Sequence, residues 1–413
     1  MNETVRPDAS WRSILSLTVV IGALGYFVDI YDIVLFTVVR VPSCTALGIA
    51  PEQAVRLLDW QMAGMLLGGF VWGVMGDRIG RKAVLFGSIL VYSLANLANA
   101  AVGHLPGDAY TQYAALRLIA GFGLAGELGA AITLVSETTP ARLRGYATAL
   151  VAAIGIAGAA AAVTVSKLFD WRTAYVVGGV LGLCLLVLRL RVLESGMFAH
   201  AVDSGAARGS LRLLFGSPAR TGRLLLCTLI GLPIWFFVGL VAMRADRHAA
   251  ALGATGPVDP AYATLACYLG LIAGDLGAGC LSQWLRSRRL AVGICLLATA
   301  GVGAFLLTRS APAPALVYTC CVLIGVACGY WAVFVTVAAE QFGTNLRATV
   351  AGIVPNLVRG AVPLWSWSVA ALAPTLGAVQ TTLWLGTGVV AVALVAAWLM
   401  RETHGAELDY LER

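Results

Sequence analysis

The chain has 413 residues, of which 59% are hydrophobic and only 12% are charged, and its mean hydropathy is +0.85. A soluble chain of this length cannot hide so much apolar surface from water, which excludes a soluble enzyme or a soluble binding domain. A membrane span needs about 20 apolar residues, and the sequence supplies such runs one after another. The composition therefore predicts a multi-pass protein of the lipid bilayer.

The apolar runs begin close to the N-terminus. Residues 1–12 are polar, and the run that follows is longer than the hydrophobic core of a secretory signal peptide. We therefore expect the first helix to be retained as a signal anchor. Twelve apolar segments are predicted to be transmembrane helices. Their approximate bounds are 14–40, 57–76, 83–103, 111–135, 146–167, 172–193, 222–243, 261–283, 290–308, 313–338, 348–371 and 378–400.

One long connection, at 194–221, divides these segments into six and six. The predicted fold is an all-α membrane protein with two six-helix bundles, at 1–193 and 222–400. A cytoplasmic linker at 194–221 joins the bundles, and a cytoplasmic tail follows at 401–413.

The 28 lysines and arginines are distributed unevenly among the predicted loops. Most lie on the side that holds both termini and the loops after the even-numbered spans. Positive charge accumulates on the cytoplasmic side of membrane proteins, so we predict that both termini are cytoplasmic. The same bias accounts for the net charge of +7 without a nucleic-acid partner.

The nine cysteines and four histidines do not predict a metal site or a cofactor. The cysteines show no CxxC spacing and lie mostly inside apolar runs, as small buried side chains do. The histidines are isolated, mostly in loops. A membrane-embedded enzyme would need a nucleophile, metal or cofactor constellation, which the sequence does not show, so no enzymatic activity is expected.

Two stretches of the first half recur in the second half. Glu137 and Arg144 follow the fourth span with the same spacing that Glu340 and Arg347 have after the tenth. Gly73–Lys82 (GVMGDRIGRK) follows the second span, and a weaker echo follows the eighth. The chain is therefore predicted to be a duplicated six-helix unit, and parallel repeats of this kind hold substrate between their halves near the bilayer midplane.

Gly73–Lys82 resembles the GxxxDRxGRK signature that the major facilitator superfamily carries between its second and third spans. The resemblance implies a cytoplasmic charge cluster that holds the inner gate in one conformation. A basic cluster that only stops translocation is the alternative, and it explains neither Asp77 nor the glycines. The residues assigned to the gate are Gly73, Asp77, Arg78, Arg81, Glu137, Arg144, Glu340 and Arg347.

The fourth span, Arg117–Gly129, is similar to the R-x-x-x-G-x-G-x-G-G-E pattern of proton-coupled organic-acid and metabolite symporters and of sugar porters, with Ala125 in place of one glycine. This resemblance extends over nearly the whole chain and implies the twelve-helix major facilitator fold. The GxGxxG within the stretch does not follow a strand, so a dinucleotide site is rejected. The fifth span lacks the proline-containing pattern of drug–proton antiporters, which argues against export by antiport.

Ionisable side chains at membrane depth cost at least about 2.5–3.5 kcal/mol and are read as functional. Four acids face two bases, so protonating one or two acids is the least costly way to remove the excess negative charge. We therefore predict proton coupling through Asp32, Asp29 and Glu127. Glu127 lies on the inner half of its span, where it either receives the proton or braces the inner charge cluster. The ionisable residues within predicted spans are Asp29, Asp32, Arg117, Glu127, Asp275 and Arg359.

Asp29 and Asp32 are three positions apart and share one helix face. Asp32 and Arg117 lie at similar depth, so we predict that they pair until a proton on Asp32 frees Arg117 for an anion. Arg359 would supply a second cation from the other half. The alternative is that Asp32–Arg117 and Asp275–Arg359 are fixed ion pairs that only hold helices together. Tyr31-Asp32 resembles the first-helix aspartate of sugar porters and the D-x-x-D of aromatic-acid symporters, whose glycine is here Ile30.

Further side chains are predicted to line the site. Asn356 lies three positions before Arg359 on the same face, and Tyr330 and Trp331 follow a glycine-containing stretch of the tenth span. A packing role for the two aromatic residues is equally open. The predicted substrate-binding residues are Arg117, Arg359, Asn356, Tyr330, Trp331 and Tyr31.

The predicted function is proton-coupled symport of a small organic anion, such as a carboxylate, into the cell by alternating access. The protein is expected to work as a monomer in the bilayer, with protons and the substrate as its partners and no bound cofactor. The alternatives are a proton-driven exporter, an uncoupled facilitator of a sugar-like solute, and a transporter-like receptor that binds without transporting.

Overall fold

The computed structural model describes residues 16–104, 106–140, 143–189, 209–405 and 410–412, and these residues form helices and loops with no strand among them. We call the residues up to 189 the N-terminal half and those from 209 the C-terminal half. The helices are α1 Leu17–Ala46, α2 Pro51–Ile79, α3 Arg81–Asn99, α4 Ala109–Leu124, α5 Glu127–Thr138, α6 Arg144–Ile156, α7 Gly158–Leu168, α8 Trp171–Leu188, α9 Leu211–Phe215, α10 Pro218–Trp235, the π-helical α11 Phe236–Ala242, α12 Ala245–Ala251, α13 Pro260–Trp284, α14 Arg288–Leu307, α15 Pro314–Cys328, α16 Trp331–Glu340, α17 Thr344–Gly360, α18 Val362–Leu376 and α19 Ala378–Leu399.

Within the described ranges, ten helical segments are long and apolar enough to cross a membrane. The all-α membrane fold predicted from the sequence is confirmed. The fifth and eleventh predicted spans are each divided into two shorter helices, at Ala157 and Ala361. The fourth span is interrupted after Leu124, just before Glu127, and the tenth at Gly329, just before Trp331.

Glycines bring α2 and α4 into backbone contact in the N-terminal half. A Cβ atom added to Gly64 would lie 2.0 Å from the carbonyl oxygen of Leu118, and one added to Gly121 would lie 2.1 Å from that of Gln61. Small residues allow this approach, which supplies the van der Waals packing that holds helices together in lipid. The glycines of the fourth span therefore serve helix packing at this contact.

The C-terminal half repeats this contact between α13 and α15. A Cβ atom on Gly270 would lie 2.1 Å from the carbonyl oxygen of Val322, and one on Gly325 would lie 2.0 Å from that of Cys267. The same reciprocal glycine contact therefore joins the second and fourth helices of each half. The two halves therefore share the same glycine-mediated helix packing.

The halves meet where α17 lies against α2 and α5, and where α13 lies against α6. A Cβ atom on Gly73 of α2 would lie 2.8 Å from the carbonyl oxygen of Thr349, and one on Gly129 of α5 would lie 2.7 Å from that of Ala351. Because α17 is held this closely, it presents Arg359 toward α1 of the opposite half.

Substituting Gly270 by alanine is expected to destabilise the protein by about 1–3 kcal/mol, because the added methyl group forces α13 away from α15. Gly277 on the same helix has no atom within 4 Å of an added Cβ, so Gly277→Ala is the matched control. Thermal unfolding in detergent should show a lower Tm for the first variant only. Equal Tm values for the two variants would contradict the role given to the glycine contact.

Candidate functional site

α1 and α4 bring the predicted partners Asp32 and Arg117 together. A carboxylate oxygen of Asp32 lies 3.9 Å from Nη1 of Arg117, and both side chains are fully buried. Nη2 of Arg117 donates a 2.8 Å hydrogen bond to Asn96, whereas its Nε and Nη1 have no hydrogen-bond acceptor among the described residues. Its guanidinium lies 4.8 Å from the ring centre of Tyr175 and 5.6 Å from that of Phe36. The arginine therefore keeps N–H groups available for an anion.

A second carboxylate–arginine pair crosses between the halves. Oδ2 of Asp29 on α1 lies 4.0 Å from Nη2 of Arg359 on α17, and both side chains are buried. The guanidinium of Arg359 lies 5.1 Å from the ring centre of Trp331 and 5.5 Å from that of Trp235. Its Nε and Nη2 have no hydrogen-bond acceptor in the described part of the chain. The two arginines thus share one design: a carboxylate near 4 Å, aromatic rings beside the guanidinium, and unused donors.

The Asp275–Arg359 ion pair, which the sequence left open as an alternative, does not form, because Arg359 pairs with Asp29. Oδ1 of Asp275 instead accepts a 2.9 Å hydrogen bond from the backbone N–H of Ala332, at the start of α16. The break between α15 and α16 leaves the first N–H groups of α16 without intrahelical acceptors, and the carboxylate supplies one. Similar depth along two helices does not determine which helix faces meet.

A small cavity lies beside the Asp29–Arg359 pair. Its volume is about 20 Å³, enough for about one water molecule. Sites for small organic ligands usually measure about 300 Å³ or more. This cavity is therefore too small to hold a small organic ligand in the conformation that the structure shows. The residues lining the cavity are Tyr26, Ile30, Ile156, Ile234, Trp235, Val238, Tyr268, Leu271 and Trp331.

Glu127 forms an ion pair with a different arginine from those that lie near the two aspartates. Arg189 donates to both carboxylate oxygens of Glu127, one bond being 2.8 Å from Nη1, and Nη1 also donates to the backbone carbonyl of Leu85 at 2.8 Å. A Cβ atom on Gly25 of α1 would overlap both members of this ion pair. The geometry favours the bracing role for Glu127, while a proton-receiving role stays a prediction. Arg189 is not predicted from the sequence, because it lies near the end of its predicted span.

At the end of the bundle predicted to be cytoplasmic, Asp77 joins the two halves. Its carboxylate accepts hydrogen bonds from the backbone N–H groups of Ala348 (3.1 Å) and Thr349 (2.7 Å) and from the Thr349 hydroxyl (2.7 Å). Arg81 lies 3.2 Å from the same carboxylate and donates to the carbonyl of Thr344 at 3.1 Å. These contacts fasten α2 to the first turns of α17, at the position predicted for the inner gate.

The other predicted gate residues have different surroundings. Glu340 pairs with Arg288 at 3.3 Å, and Arg347 donates to the backbone carbonyls of Ala339 in α16 and of Phe342 just after it. Gly73 accepts a 3.3 Å hydrogen bond at its carbonyl from the Thr349 hydroxyl, whereas Arg78 is exposed. The side chains outside the described part of the structure include those of Glu137 and Arg144.

Three of the predicted substrate-binding side chains donate their hydrogen bonds to backbone carbonyls. The hydroxyls of Tyr31 and Tyr330 donate to carbonyls of α8 and α10, at 2.9 and 2.8 Å. The amide of Asn356 donates to carbonyls on both sides of the interface between the halves. Trp331 differs, because its buried indole N–H has no acceptor among the described residues and its ring lies beside Arg359.

The sequence analysis does not single out Asn96 and Tyr175, which contact Arg117. One signal was available, since Asn96 is a buried amide on an apolar helix, and buried polar groups need partners. That signal does not identify the partner, because the packing of α3 against α4 decides it.

The sequence profile described as Major Facilitator Superfamily matches residues 13–365. The chain is 30% identical over 290 residues to the 3-(3-hydroxy-phenyl)propionate transporter of Escherichia coli, covering 68% of this chain and 69% of that protein. It is 26% identical to the gentisate transporter of Corynebacterium glutamicum, covering 95% and 90%. Its fold matches the proton:xylose symporter XylE with a TM-score of 0.74 at 18% identity, covering 96% and 98%. The chain therefore belongs to the major facilitator superfamily.

Membership and the many apolar helices define a multi-pass membrane transporter, not an enzyme, and are consistent with a bacterial inner membrane. The likeness to the xylose symporter, at 18% identity, shows the fold alone. In the described ranges, no group of three or more His, Cys, Asp or Glu side chains could hold a metal ion.

Asp77→Asn should weaken the contact between α2 and α17, because an amide lacks the charge that strengthens these hydrogen bonds. Spin labels at Ile79 and Trp284, which are 54% and 80% exposed at the ends of α2 and α13, would report the separation of the halves. The exposed Cys184 and Cys280 are first replaced. We expect longer inter-label distances in Asp77→Asn and unchanged distances in Arg309→Gln, which removes an exposed charge outside the gate. Unchanged distances in both variants would contradict the gate.

Proposed function

We propose that this protein imports a small aromatic carboxylate by proton-coupled symport, alternating access between two halves of a twelve-helix fold with cytoplasmic termini. The observation that carries the proposal is the pair of buried arginines, Arg117 and Arg359, one in each half. Each has a carboxylate at about 4 Å, aromatic rings at its guanidinium and unpartnered N–H groups.

The arginines account for an anionic substrate. A guanidinium presents a planar fork of donors that matches a carboxylate in two places, and such charge-assisted hydrogen bonds are about twice as strong as neutral ones. In the closed site the aspartates neutralise the arginines. When a proton binds to an aspartate, its arginine is left with an uncompensated buried positive charge. An incoming carboxylate then neutralises that charge.

The aromatic residues near Arg359 account for an aromatic ring on the substrate. Trp235 and Trp331 have ring centres 6.4 Å apart and lie beside Arg359, so a planar ring joined to a carboxylate can pack against indole while its charge meets the arginine. The names of the relatives support this class: they include transporters of 3-(3-hydroxy-phenyl)propionate, of gentisate and, over 35% of its length, of 4-hydroxybenzoate in Pseudomonas putida.

The two aspartates divide the coupling between them. Asp32 and Arg117 belong to the same half, so protonation of Asp32 prepares the substrate site without separating the halves. Asp29 and Arg359 belong to opposite halves, so protonation of Asp29 removes an attraction that keeps the halves together. Glu127, paired with Arg189, braces the N-terminal half. The Asp77 contacts close the inner mouth until the loaded site opens inward.

A proton-driven exporter and an uncoupled facilitator of a sugar-like solute are the alternatives. The fold likeness to the proton:xylose symporter is a reason to consider a sugar-like solute, but it does not favour uncoupled transport. A neutral sugar would leave two buried arginines with no charge to replace the protonated aspartates, which disfavours it.

Uptake by proteoliposomes tests the proposal. Labelled 4-hydroxybenzoate, 3-phenylpropionate, succinate and xylose are offered with and without an inward proton gradient. We expect accumulation of the aromatic carboxylates that depends on the gradient, and none of xylose. Asp32→Asn should abolish this accumulation while counterflow exchange continues. Accumulation of xylose, or gradient-driven accumulation of aromatic acids by Asp32→Asn at the wild-type level, would contradict the proposal.

Substrate binding to the purified protein tests the arginine directly. Arg359→Gln removes a charged hydrogen-bond donor worth about 1.5–3 kcal/mol, so affinity for the accumulated acid should fall about 10- to 100-fold. Arg286→Gln, in the exposed segment between α13 and α14, is the charge-matched control and should bind normally. Equal affinity of the two variants would contradict a site at Arg359.

A further inference from the structure

One buried carboxyl takes no part in the coupling scheme above. Asp275 lies on α13 of the C-terminal half and is 0% exposed. One turn earlier, Leu271 lines the small cavity beside Arg359, and Trp331, next to the residue that Asp275 contacts, lines it too. Asp275 therefore lies just behind the wall of the proposed substrate site.

Asp275 differs from the other fully buried acids in its partners. Asp29, Asp32, Asp77 and Glu127 each have an arginine within 4.0 Å. Among the described residues, no lysine or arginine lies within 4.0 Å of Asp275. These acids are all 0% exposed.

The two oxygens of Asp275 have unequal surroundings. Oδ1 accepts the hydrogen bond from the Ala332 N–H at 2.9 Å, whereas buried Oδ2 has no hydrogen-bond partner in the described part of the chain. An ionised carboxylate at this depth is stabilised by the positive end of the α16 dipole but opposed by the loss of water. Binding a proton at Oδ2 removes the desolvated charge and leaves the Oδ1 acceptor in place.

The titratable groups nearest to Asp275 are a phenol and a thiol, which are of types that are mostly uncharged at neutral pH. α1 brings the phenol of Tyr26 and α14 brings the thiol of Cys295 within electrostatic reach. α15 approaches through Gly329, where an added Cβ would lie 2.6 Å from the backbone nitrogen of Asp275, and α16 through the Ala332 N–H. The charged residues of α7 and α12 are at the opposite, predicted outer, end of α13: Lys167, Asp246 and Arg247, together with His248. α6 also packs against α13 and carries Tyr146 among its described side chains, and Arg359 shares Tyr26 with Asp275 as an electrostatic neighbour. Among the described residues, no lysine or arginine forms an ion pair with Asp275.

We infer that Asp275 is a second proton-binding site, in the C-terminal half, and that its protonation state is linked to Trp331 and Arg359 through its hydrogen bond to the first turn of α16. A proton from the outer bath binds Oδ2 of the carboxylate and forms the neutral acid. The same proton leaves Oδ2 for the inner bath when the site opens inward. This inference rests on the proposed proton-coupled function.

Infrared spectroscopy tests the proton site without any substrate. Spectra of the protein in lipid are recorded at acid and alkaline pH, and the carbonyl stretch of protonated carboxyl groups is followed. Asp275→Asn keeps an oxygen acceptor for the Ala332 N–H but does not titrate, so one component of the difference band should disappear. Asp29→Asn and Asp32→Asn should each remove a different component. A band unchanged by Asp275→Asn overturns the inference, whether or not the protein transports aromatic acids.

Proteoliposomes then test whether this proton is coupled. At a pH difference of one unit, each coupled proton contributes about tenfold to the maximal accumulation ratio. Asp275→Asn should lower that ratio about tenfold while counterflow stays within about twofold of wild type. Asp275→Glu should restore the ratio. A purely structural cap predicts wild-type accumulation by Asp275→Asn, and that result would overturn the coupling.

If Asp275→Asn does not fold, as judged by size exclusion and thermal unfolding, Asp275→Glu decides the matter. Its glutamic acid should shift the frequency of the same band component, and an unshifted band overturns the inference. Absence of gradient-driven uptake in the wild type would contradict the proposed function alone, because the infrared result stands independently.

Discussion

Burying Asp29 and Arg359 between the two halves imposes the constraint on which the rest of the site depends. The pair crosses the interface at 4.0 Å, and both side chains are shielded from water. Removing one partner of a buried ion pair costs about 3–5 kcal/mol, because the other charge is left uncompensated. In the proposed mechanism, protonation of Asp29 is therefore matched by a new anion at Arg359, and this requirement would link a proton to a carboxylate substrate.

The architecture confines movement to the interface that carries these charges. Reciprocal glycine contacts hold α2 against α4 and α13 against α15, so in the proposed mechanism each half would move as a packed unit. Between the halves, the glycine contacts at Gly73 and Gly129 are accompanied by polar contacts, which join Asp77 to the first turns of α17 and Asp29 to Arg359. Helix interruptions at Gly329 and Ala361 lie on the spans that hold Trp331 and Arg359, where small backbone shifts move both side chains.

Composition and apolar runs were sufficient to predict an all-α membrane fold, and the GxxxDRxGRK motif was sufficient to place Asp77 at the junction of the halves. The pairing of Asp32 with Arg117 also followed from depth, since their helices are neighbours in the family's fold. Depth failed for Arg359, whose partner is Asp29 and not Asp275. Helix rotation and the break before α16 decide that choice, and both depend on packing between distant segments.

The most direct test of the link between proton and carboxylate is calorimetry of 4-hydroxybenzoate binding to the purified protein. Titrations in buffers that differ in ionisation enthalpy give the number of protons taken up with each substrate molecule. Substrate replaces an aspartate as the counter-ion of its arginine, so the account predicts net uptake of at least about one proton per carboxylate near neutral pH. Binding of the same acid without proton uptake would contradict it.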